Sequence, residues 1–350
     1  MRVPFRAYLM ALLAYASCLA PCHARAEAPY PLRLGFFPNI THAQALYARA
    51  TGLFEKAVGT PVLWTAFNAG PTSIEALLAN EIDATYVGPG PTINGYIKSH
   101  GEKFVIIAGA ASGGAALVVR KDSGIKSETD FNGKTLATPQ LGGTQDISAR
   151  AWLSAKGYRP TAEGGAVNLV ALSNPDQLTL FQNGQIDAAW TVEPWVSRLE
   201  LQAGGRVFLD EKELWPGGKY VTTQLIVTRS FLQQHPEEVR NLLRAHVEIT
   251  QLITNNPAAA AKILNEQIRK ETGRAIPENV IMSALRRVEL TWDPIASSLA
   301  KDAEAAHEIH FLRSPPDLAG IYDLKLLNEV LAAKGLAPVS GGGHGEPAQR

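Results

Sequence analysis

The sequence predicts a mixed α/β protein of two similar doubly wound lobes, joined by two hinge strands and separated by a ligand cleft. Three observations carry this prediction. Strand and helix patterns alternate as βαβαβ, the alternation occurs twice along the chain, and an apolar strand follows each copy.

The first copy begins with a strand over Leu32–Phe37, then Pro38, a helix over Thr41–Ala50 and a strand over Val62–Phe67. It continues through Gly70-Pro71 to a helix over Thr72–Ala79 and a strand over Ile82–Val87. Ala43, Leu46, Tyr47 and Ala50 recur at i, i+3, i+4 and i+7, which gives the first helix one buried face, and Gly52 just past its end is a stop signal. The second copy has a strand over Lys134–Thr138, Pro139, a helix from Thr144 and a strand over Val167–Leu172. Asn174-Pro175, a helix over Gln177–Gln182 and a strand over Ile186–Val192 complete it. Pairing Pro38 with Pro139, Val62 with Val167, Asn68 with Asn174, and Ile82-Asp83-Ala84 with Ile186-Asp187-Ala188 gives offsets of 101, 105, 106 and 104. Offsets this constant mark one structural unit used twice.

Ala115–Arg120, between the copies, and Thr222–Thr228, after the second, read as the strands that carry the chain across and back. A double hinge of this kind permits closure on a ligand. Pro236–Gly335 is helical by pattern, with Leu242, Leu243, Val247 and Ile249–Ile253 in one helix, Ala258–Ile268 in the next and Val280–Val288 in a third. These helices are expected to pack on the first lobe. The domain organisation that follows is residues 27–118 and 225–338 as a discontinuous first lobe and residues 119–224 as the second. Residues 339–350 lack the apolar side chains that offset ordering entropy and are expected to be a disordered tail.

Residues 1–26 stand apart from that globule. Arg2 and Arg6 precede an apolar stretch over Tyr8–Leu19, and Ala24-Arg25-Ala26 has the small-residue spacing of a cleavage site. This is the pattern of a secretory signal peptide and implies a periplasmic product. Cleavage after Ala26 leaves 30 basic against 33 acidic residues, a balance that excludes field-driven attraction to nucleic acid or to an anionic membrane. Cys18 and Cys22, the chain's two cysteines, both lie in the leader, so the mature chain has no thiol for a disulfide, a thiolate metal site or a cysteine nucleophile. Neither cysteine has the flanking residues of a lipid anchor. After Ala26 no run approaches the ~20 apolar residues of a membrane span.

In open parallel sheets, ligands bind at the carboxyl ends of strands, where helix N-termini offer unpaired N–H groups and a partial positive charge. Four such turns are small, polar and rich in glycine or proline: Pro38 to His42, Asn68 to Ser73, Gly88 to Thr92 and Gly142 to Asp146. Ser112-Gly113-Gly114 adds a fifth segment before the crossover strand. Each turn alone is also an ordinary cap or loop. Their convergence on one cleft, with no lysine or arginine among them, points to a small oxyanion held by neutral hydrogen-bond donors. Thr144 is the expected cap of its helix and a candidate anion contact, and His42 is a candidate donor. Glu193, in Trp190-Thr191-Val192-Glu193-Pro194-Trp195, ends the last strand of the second copy. It either reaches into the cleft to take an ammonium or braces the hinge, and Trp195 either walls the site or joins the core.

Other motifs argue against catalysis. His307-Glu308-Ile309-His310 has one residue too few for a zinc helix, and Gly88-Pro89-Gly90 lacks the third glycine of a dinucleotide turn. The chain has neither a P-loop nor a nucleophile elbow. No metal, no cofactor and no enzymatic activity are expected.

Gly35-Phe36-Phe37-Pro38-Asn39-Ile40-Thr41-His42-Ala43, Asp83 with Gly88-Pro89, Gly142-Gly143-Thr144 and Glu193-Pro194-Trp195 resemble the nitrate/sulfonate/taurine-type solute-binding proteins of ABC importers. The resemblance spans Leu32 to Gly335 and is strongest to the aliphatic-sulfonate-binding branch. It implies a type II periplasmic-binding fold with a small-molecule ligand held between the lobes and delivered to a membrane permease and its ATPase; the protein itself is expected to be a monomer. By position, the sulfonate group would meet Asn39, Thr41, His42, the turn containing Asn68, Gly70 and Thr72, and Gly143-Thr144. Gly88, Pro89, Ser112, Gly113 and Gln145 flank these positions, and Glu193 and Trp195 shape the other end. Glu193-Pro194-Trp195 recurs in branches with different ligands, so nitrate, bicarbonate, phosphonate and pyrimidine-type ligands stay open, as does a sensory role.

Overall fold

The two sequence copies fold into two sheets, and corresponding strands take corresponding places in each. A computed structural model describes residues 30–343; the expected signal peptide and residues 344–350 lie outside the described residues. The first copy supplies β1 (Leu32–Phe36), α1 (Ala43–Thr51), α2 (Leu53–Val58), β2 (Val62–Ala66), α3 (Gly70–Leu78), β3 (Ala84–Val87), α4 (Pro89–Lys98) and β4 (Phe104–Gly113). The second supplies β5 (Ala115–Arg120), β6 (Thr135–Thr138), α5 (Thr144–Ala155), β7 (Asn168–Ala171), α6 (Asn174–Gln182), β8 (Ala188–Val192), α7 (Trp195–Gln202) and β9 (Gly205–Asp210). The chain then returns through β10 (Val221–Thr228) to α8 (Arg229–Gln234), α9 (Pro236–Asn255), α10 (Pro257–Thr272), α11 (Glu278–Arg287), β11 (Val288–Leu290), α12 (Ala296–Glu308) and α13 (Lys325–Ala333).

The six-stranded sheet has the order β11-β4-β10-β3-β1-β2 and the five-stranded sheet β7-β6-β8-β5-β9. In the first, β2, β1 and β3 are parallel and β10 is antiparallel to β3; in the second, β7, β6 and β8 are parallel and β5 is antiparallel to β8. The repeated Ile-Asp-Ala explains part of this likeness. Asp83 accepts a hydrogen bond from the Arg33 N–H at 2.9 Å and donates its own N–H to the Arg33 carbonyl at 2.8 Å. Asp187 does the same with Thr135, at 2.9 Å in both directions. In both halves the aspartate pins the start of the third strand to the first.

β5 shows why the strands are apolar runs with no alternation. Leu117 and Val119 face a cluster with Phe131, Trp152 and Trp190, whereas Ala116 and Val118 face one with Phe181, Trp195 and Leu199. Both faces are covered, as expected of a doubly wound sheet.

Each expected hinge strand belongs to one sheet. The chain leaves the first sheet at Gly113-Gly114, two consecutive left-handed residues with φ 76° and 77°, and comes back between Asp210 and Val221. The expected boundaries at residues 118 and 225 therefore fall inside β5 and β10. A side chain at Gly114 would also place its Cβ 2.5 Å from Val288 Cγ2, so this position requires glycine on two counts.

The C-terminal helices do more than cover the first half. α9 and α10 pack on α1 and α2 as expected, but α11 packs on α7, and α12 lies against both α4 and α5. The start of the expected tail is seated too. Asn328 Nδ2 donates to the Val339 carbonyl at 3.0 Å and its Oδ1 accepts the Val339 N–H at 2.8 Å.

Candidate functional site

The carboxyl ends of the parallel strands in both sheets face one cavity of ≈ 30 Å³, room for about one or two waters. From the first half come Phe37, Asn39, Thr41 and His42 after β1, Asn68, Ala69 and Gly70 after β2, and Gly88 and Pro91 after β3. The second half contributes Pro139, Gly143, Thr144 and Gln145 after β6, Asn174 after β7 and Val192 at the end of β8, while Thr222 and Thr223 come from β10. Among the described residues the lining contains no lysine, arginine, aspartate or glutamate. Its polarity comes from side-chain amides, hydroxyls, one imidazole and the positive ends of the helices α3, α4, α5 and α6, whose N-termini favour an anion.

His42 is a neutral donor in this setting. Its Nδ1 accepts the Phe37 N–H at 3.2 Å, and its ring lies 4.3 Å from that of Phe37, centroid to centroid. Burial lowers its pKa to about 3. A neutral imidazole that accepts at Nδ1 carries its proton on Nε2, and Nε2 has no partner among the described residues. Asn174 is prepared in the same way: its Oδ1 accepts the Thr191 hydroxyl at 2.7 Å, which leaves the amide N–H₂ as a donor. The turn before α5 is held by buried Asp146, which accepts the Gly142 N–H at 3.0 Å, the Thr138 hydroxyl at 3.1 Å and Arg150 Nε at 3.0 Å.

Apart from the contacts at the chain crossings, three hydrogen bonds among the described residues join the two halves across the cleft. Ile40 N–H donates to the Glu193 carbonyl at 3.1 Å, Trp195 Nε1–H to Asn39 Oδ1 at 3.0 Å, and Gly90 N–H to Thr144 Oγ1 at 3.3 Å. Thr144 is thus the first residue of α5 and a bridge to α4; the N-cap is Gly143. Close approach of the two helix N-termini requires the glycines of Gly88-Pro89-Gly90. A Cβ on Gly88 would stand 2.4 Å from Thr144 Oγ1, and one on Gly90 2.8 Å from Ile147 Cδ1.

Of the sequence candidates, Asn39, Thr41, His42, Asn68, Gly70, Gly88, Gly143, Thr144 and Gln145 come together on the cavity, and six do not. Thr72 turns its hydroxyl back to the Ala69 carbonyl at 3.0 Å, and Pro89 is buried in the first turn of α4. Ser112 and Gly113 serve the crossing: Ser112 Oγ accepts the Tyr220 N–H at 3.4 Å, and the Gly113 carbonyl accepts the Thr222 hydroxyl at 2.7 Å. Trp195 stands behind the cavity, bonded to Asn39 and covered by the Arg198 guanidinium at 4.5 Å from its ring centroid. Glu193 points away from the cleft and is fully buried. Its carboxylate accepts the Ser197 N–H at 3.1 Å and the Ser197 hydroxyl at 2.9 Å, and pairs with Arg287 Nε at 3.3 Å. Burial raises its pKa to about 7 against the opposing pull of Ser197 and Arg287.

Asn174, Thr222, Thr223 and Phe37 line the cavity without having been singled out. The repeat itself contained the signal for Asn174, which is the partner of Asn68 at the offset of 106.

The sequence profile of the NMT1-like family matches residues 25–266. A taurine-binding periplasmic protein of Escherichia coli (strain K12) is 28% identical over 213 residues; the match covers 61% of this chain and 64% of that relative, under two thirds of its length. In structure, the chain is similar to the alkanesulfonate-binding protein SsuA from Xanthomonas axonopodis pv. citri bound to MOPS, with a TM-score of 0.67 at 21% identity, covering 83% of this chain and 96% of that one. It is also similar to the periplasmic nitrate-binding protein NrtA from Synechocystis PCC 6803, with a TM-score of 0.70 at 16% identity, covering 87% and 88%. The two-lobe periplasmic-binding architecture expected from sequence is thus the architecture of these relatives.

Proposed function

Because the chain belongs to the NMT1-like family, we propose that it is an exported solute receptor that closes its two halves on an aliphatic sulfonate or taurine-like anion and hands it to the permease of an ABC importer. The observation that carries this reading is the cavity lining. Helix N-termini and neutral donors from both halves converge on one cavity, and its described lining holds no charged side chain. Such a lining suits the binding of an anion. The taurine-binding and alkanesulfonate-binding relatives support the ligand class, and the signal-peptide pattern of residues 1–26 supports export.

A sulfonate with an organic tail needs more than ≈ 30 Å³, so this reading requires the cavity to widen locally around the tail while the contacts between the halves at Thr144 persist. The same volume favours a second reading, a compact oxyanion of the size of nitrate, to which a relative of the same fold also points.

The test is a thermal-shift screen of the ligand-stripped mature protein against taurine, alkanesulfonates, a sulfate ester, a phosphonate, nitrate, bicarbonate and pyrimidines. A ligand that binds only the folded state raises its melting temperature. A shift confined to sulfonates supports the first reading, and a shift confined to nitrate or bicarbonate replaces it with the second. No shift with any anion refutes the anion site.

A further inference from the structure

The glutamate that the sequence placed near the ligand is instead part of an ionic cluster at the chain crossings. Arg287, the last residue of α11, directly precedes β11, whose first residue Val288 pairs with Gly113. Its guanidinium extends from this C-terminal layer into the other half of the molecule. There it meets three carboxylates, each from a different element: Glu200 on α7 at 2.8 Å, Glu193 after β8 at 3.3 Å and Asp210 at the end of β9 at 3.9 Å. The Glu193 N–H donates to the Gly114 carbonyl at 2.8 Å, and the Glu193 carbonyl accepts the Ile40 N–H from the cleft wall. One cation therefore gathers the outgoing crossing at Gly113-Gly114, the last residue before the return crossing at Asp210, and the residue whose backbone joins the halves.

We infer that Arg287 is a positioning residue for lobe closure: by pairing with Glu193, Glu200 and Asp210 it holds the second half against the C-terminal layer and biases the protein toward the closed arrangement without touching ligand. The inference deepens the reading of the cleft as a closing binding site. Three carboxylates facing one guanidinium repel one another once it is removed, so its loss acts on the relation between the halves as well as on local packing. A residue that acts through closure changes the affinity of every ligand by one factor, because it has no differential contact with any of them.

The test uses the mature chain, which has no cysteine of its own. Spin labels at Glu75→Cys on α3 and Thr179→Cys on α6 report the distance across the cleft by double electron–electron resonance, first without ligand. Arg287→Met is expected to move the ligand-free distribution toward longer distances. Glu200→Gln, which removes the shortest pair and leaves no unpaired charge buried, is expected to move it the same way by less, and Arg287→Lys to restore part of the change. For whichever anions bind, Arg287→Met should weaken all of them by a common factor of roughly fivefold or more. Unchanged distances in both Arg287→Met and Glu200→Gln overturn the inference, as does a loss of affinity that differs between ligands. The ligand-free measurement stands whatever the ligand proves to be, so failure of the anion reading and failure of the Arg287 role give different results.

Discussion

Gly88→Ala is the sharpest test of closure, because the structure states what the added methyl meets. Its Cβ would lie 2.4 Å from Thr144 Oγ1, 3.3 Å from Thr144 Cβ and 3.2 Å from the Thr222 carbonyl. Thr222 belongs to the same half as Gly88, so that contact is present whether the cleft is open or closed and its cost cancels. Thr144 belongs to the other half, so the clash with it arises only on closing. Gly88 has φ −78° and ψ 166°, a conformation open to alanine, and the substitution carries no backbone penalty. Overpacking of this kind costs about 1–3 kcal/mol, here confined to the closed state, which lowers ligand affinity by about 5–150-fold. Thr144→Ala alone removes the acceptor of the Gly90 N–H and is expected to weaken binding by about 1–2 kcal/mol. In the double variant the hydroxyl that clashes is gone, and the remaining 3.3 Å contact is tight but tolerable. The two losses are therefore expected to be strongly less than additive. Titration calorimetry on the four proteins with one ligand measures the cycle, and melting of the ligand-free proteins checks that Gly88→Ala leaves the open form intact. Additive losses, or a fall in ligand-free melting as large as the fall in binding, would refute the reasoning.

Three further outcomes follow from the buried ionisable groups. Burial lowers His42 to about 3 and His246 to about 4, so each is neutral when folded and takes a proton on unfolding. Stability from this source is full above pH 6.5 and declines toward the folded values, by about 2 kcal/mol per histidine at pH 5; His246→Gln should remove one such contribution from a pH series of denaturant melts, and an unchanged slope counts against it. Glu193 has the opposite sign. Its folded pKa of about 7 lies above its unfolded value, so the ionised form penalises folding above pH 7 and the penalty fades as pH falls toward 4.5. Glu193→Gln should gain on the wild type by about 2.5 kcal/mol between pH 5 and pH 8, and a gain that falls with rising pH would contradict the burial of that carboxylate. His42, as a neutral Nε2–H donor, should leave the affinity for an alkanesulfonate flat from pH 8 to pH 5; tightening as pH falls would mean that an imidazolium binds the anion.

The fold was legible because each half repeats features that depend on local chemistry. Asp83 and Asp187 make the same pair of backbone bonds, and Pro71 and Pro175 both stand in the first turn of a helix, where a missing N–H costs nothing. The turns that line the cavity were legible for the same reason: a small polar segment between a parallel strand and a helix has few other places to be. Side-chain direction at the cleft's edge was not. Glu193 ends its strand where a cleft residue is expected, but its orientation is set by Ser197 one helical turn later and by Arg287, 94 residues along the chain. Nor does local pattern show that α11 and α12 reach the second half, since an apolar stripe says that a helix face is buried without saying against what.

The absence of charge from the lining bears on release as much as on binding. A buried lysine or arginine would hold an oxyanion at whatever separation the halves adopted, because a full charge acts over several ångströms in a low dielectric. Donors of the kind found here act only at contact, and the helix-end field fades within a turn. Closing brings the N-termini of α4 and α5 to within one hydroxyl of each other at Thr144, and opening takes about half of the donors away from the anion at once. Affinity in such a site is mostly a property of the closed state. A receptor that must surrender its ligand gains from that arrangement, because whatever parts the two halves, whether a membrane partner or the loss of a pin such as Arg287, dismantles the site without competing for the anion itself.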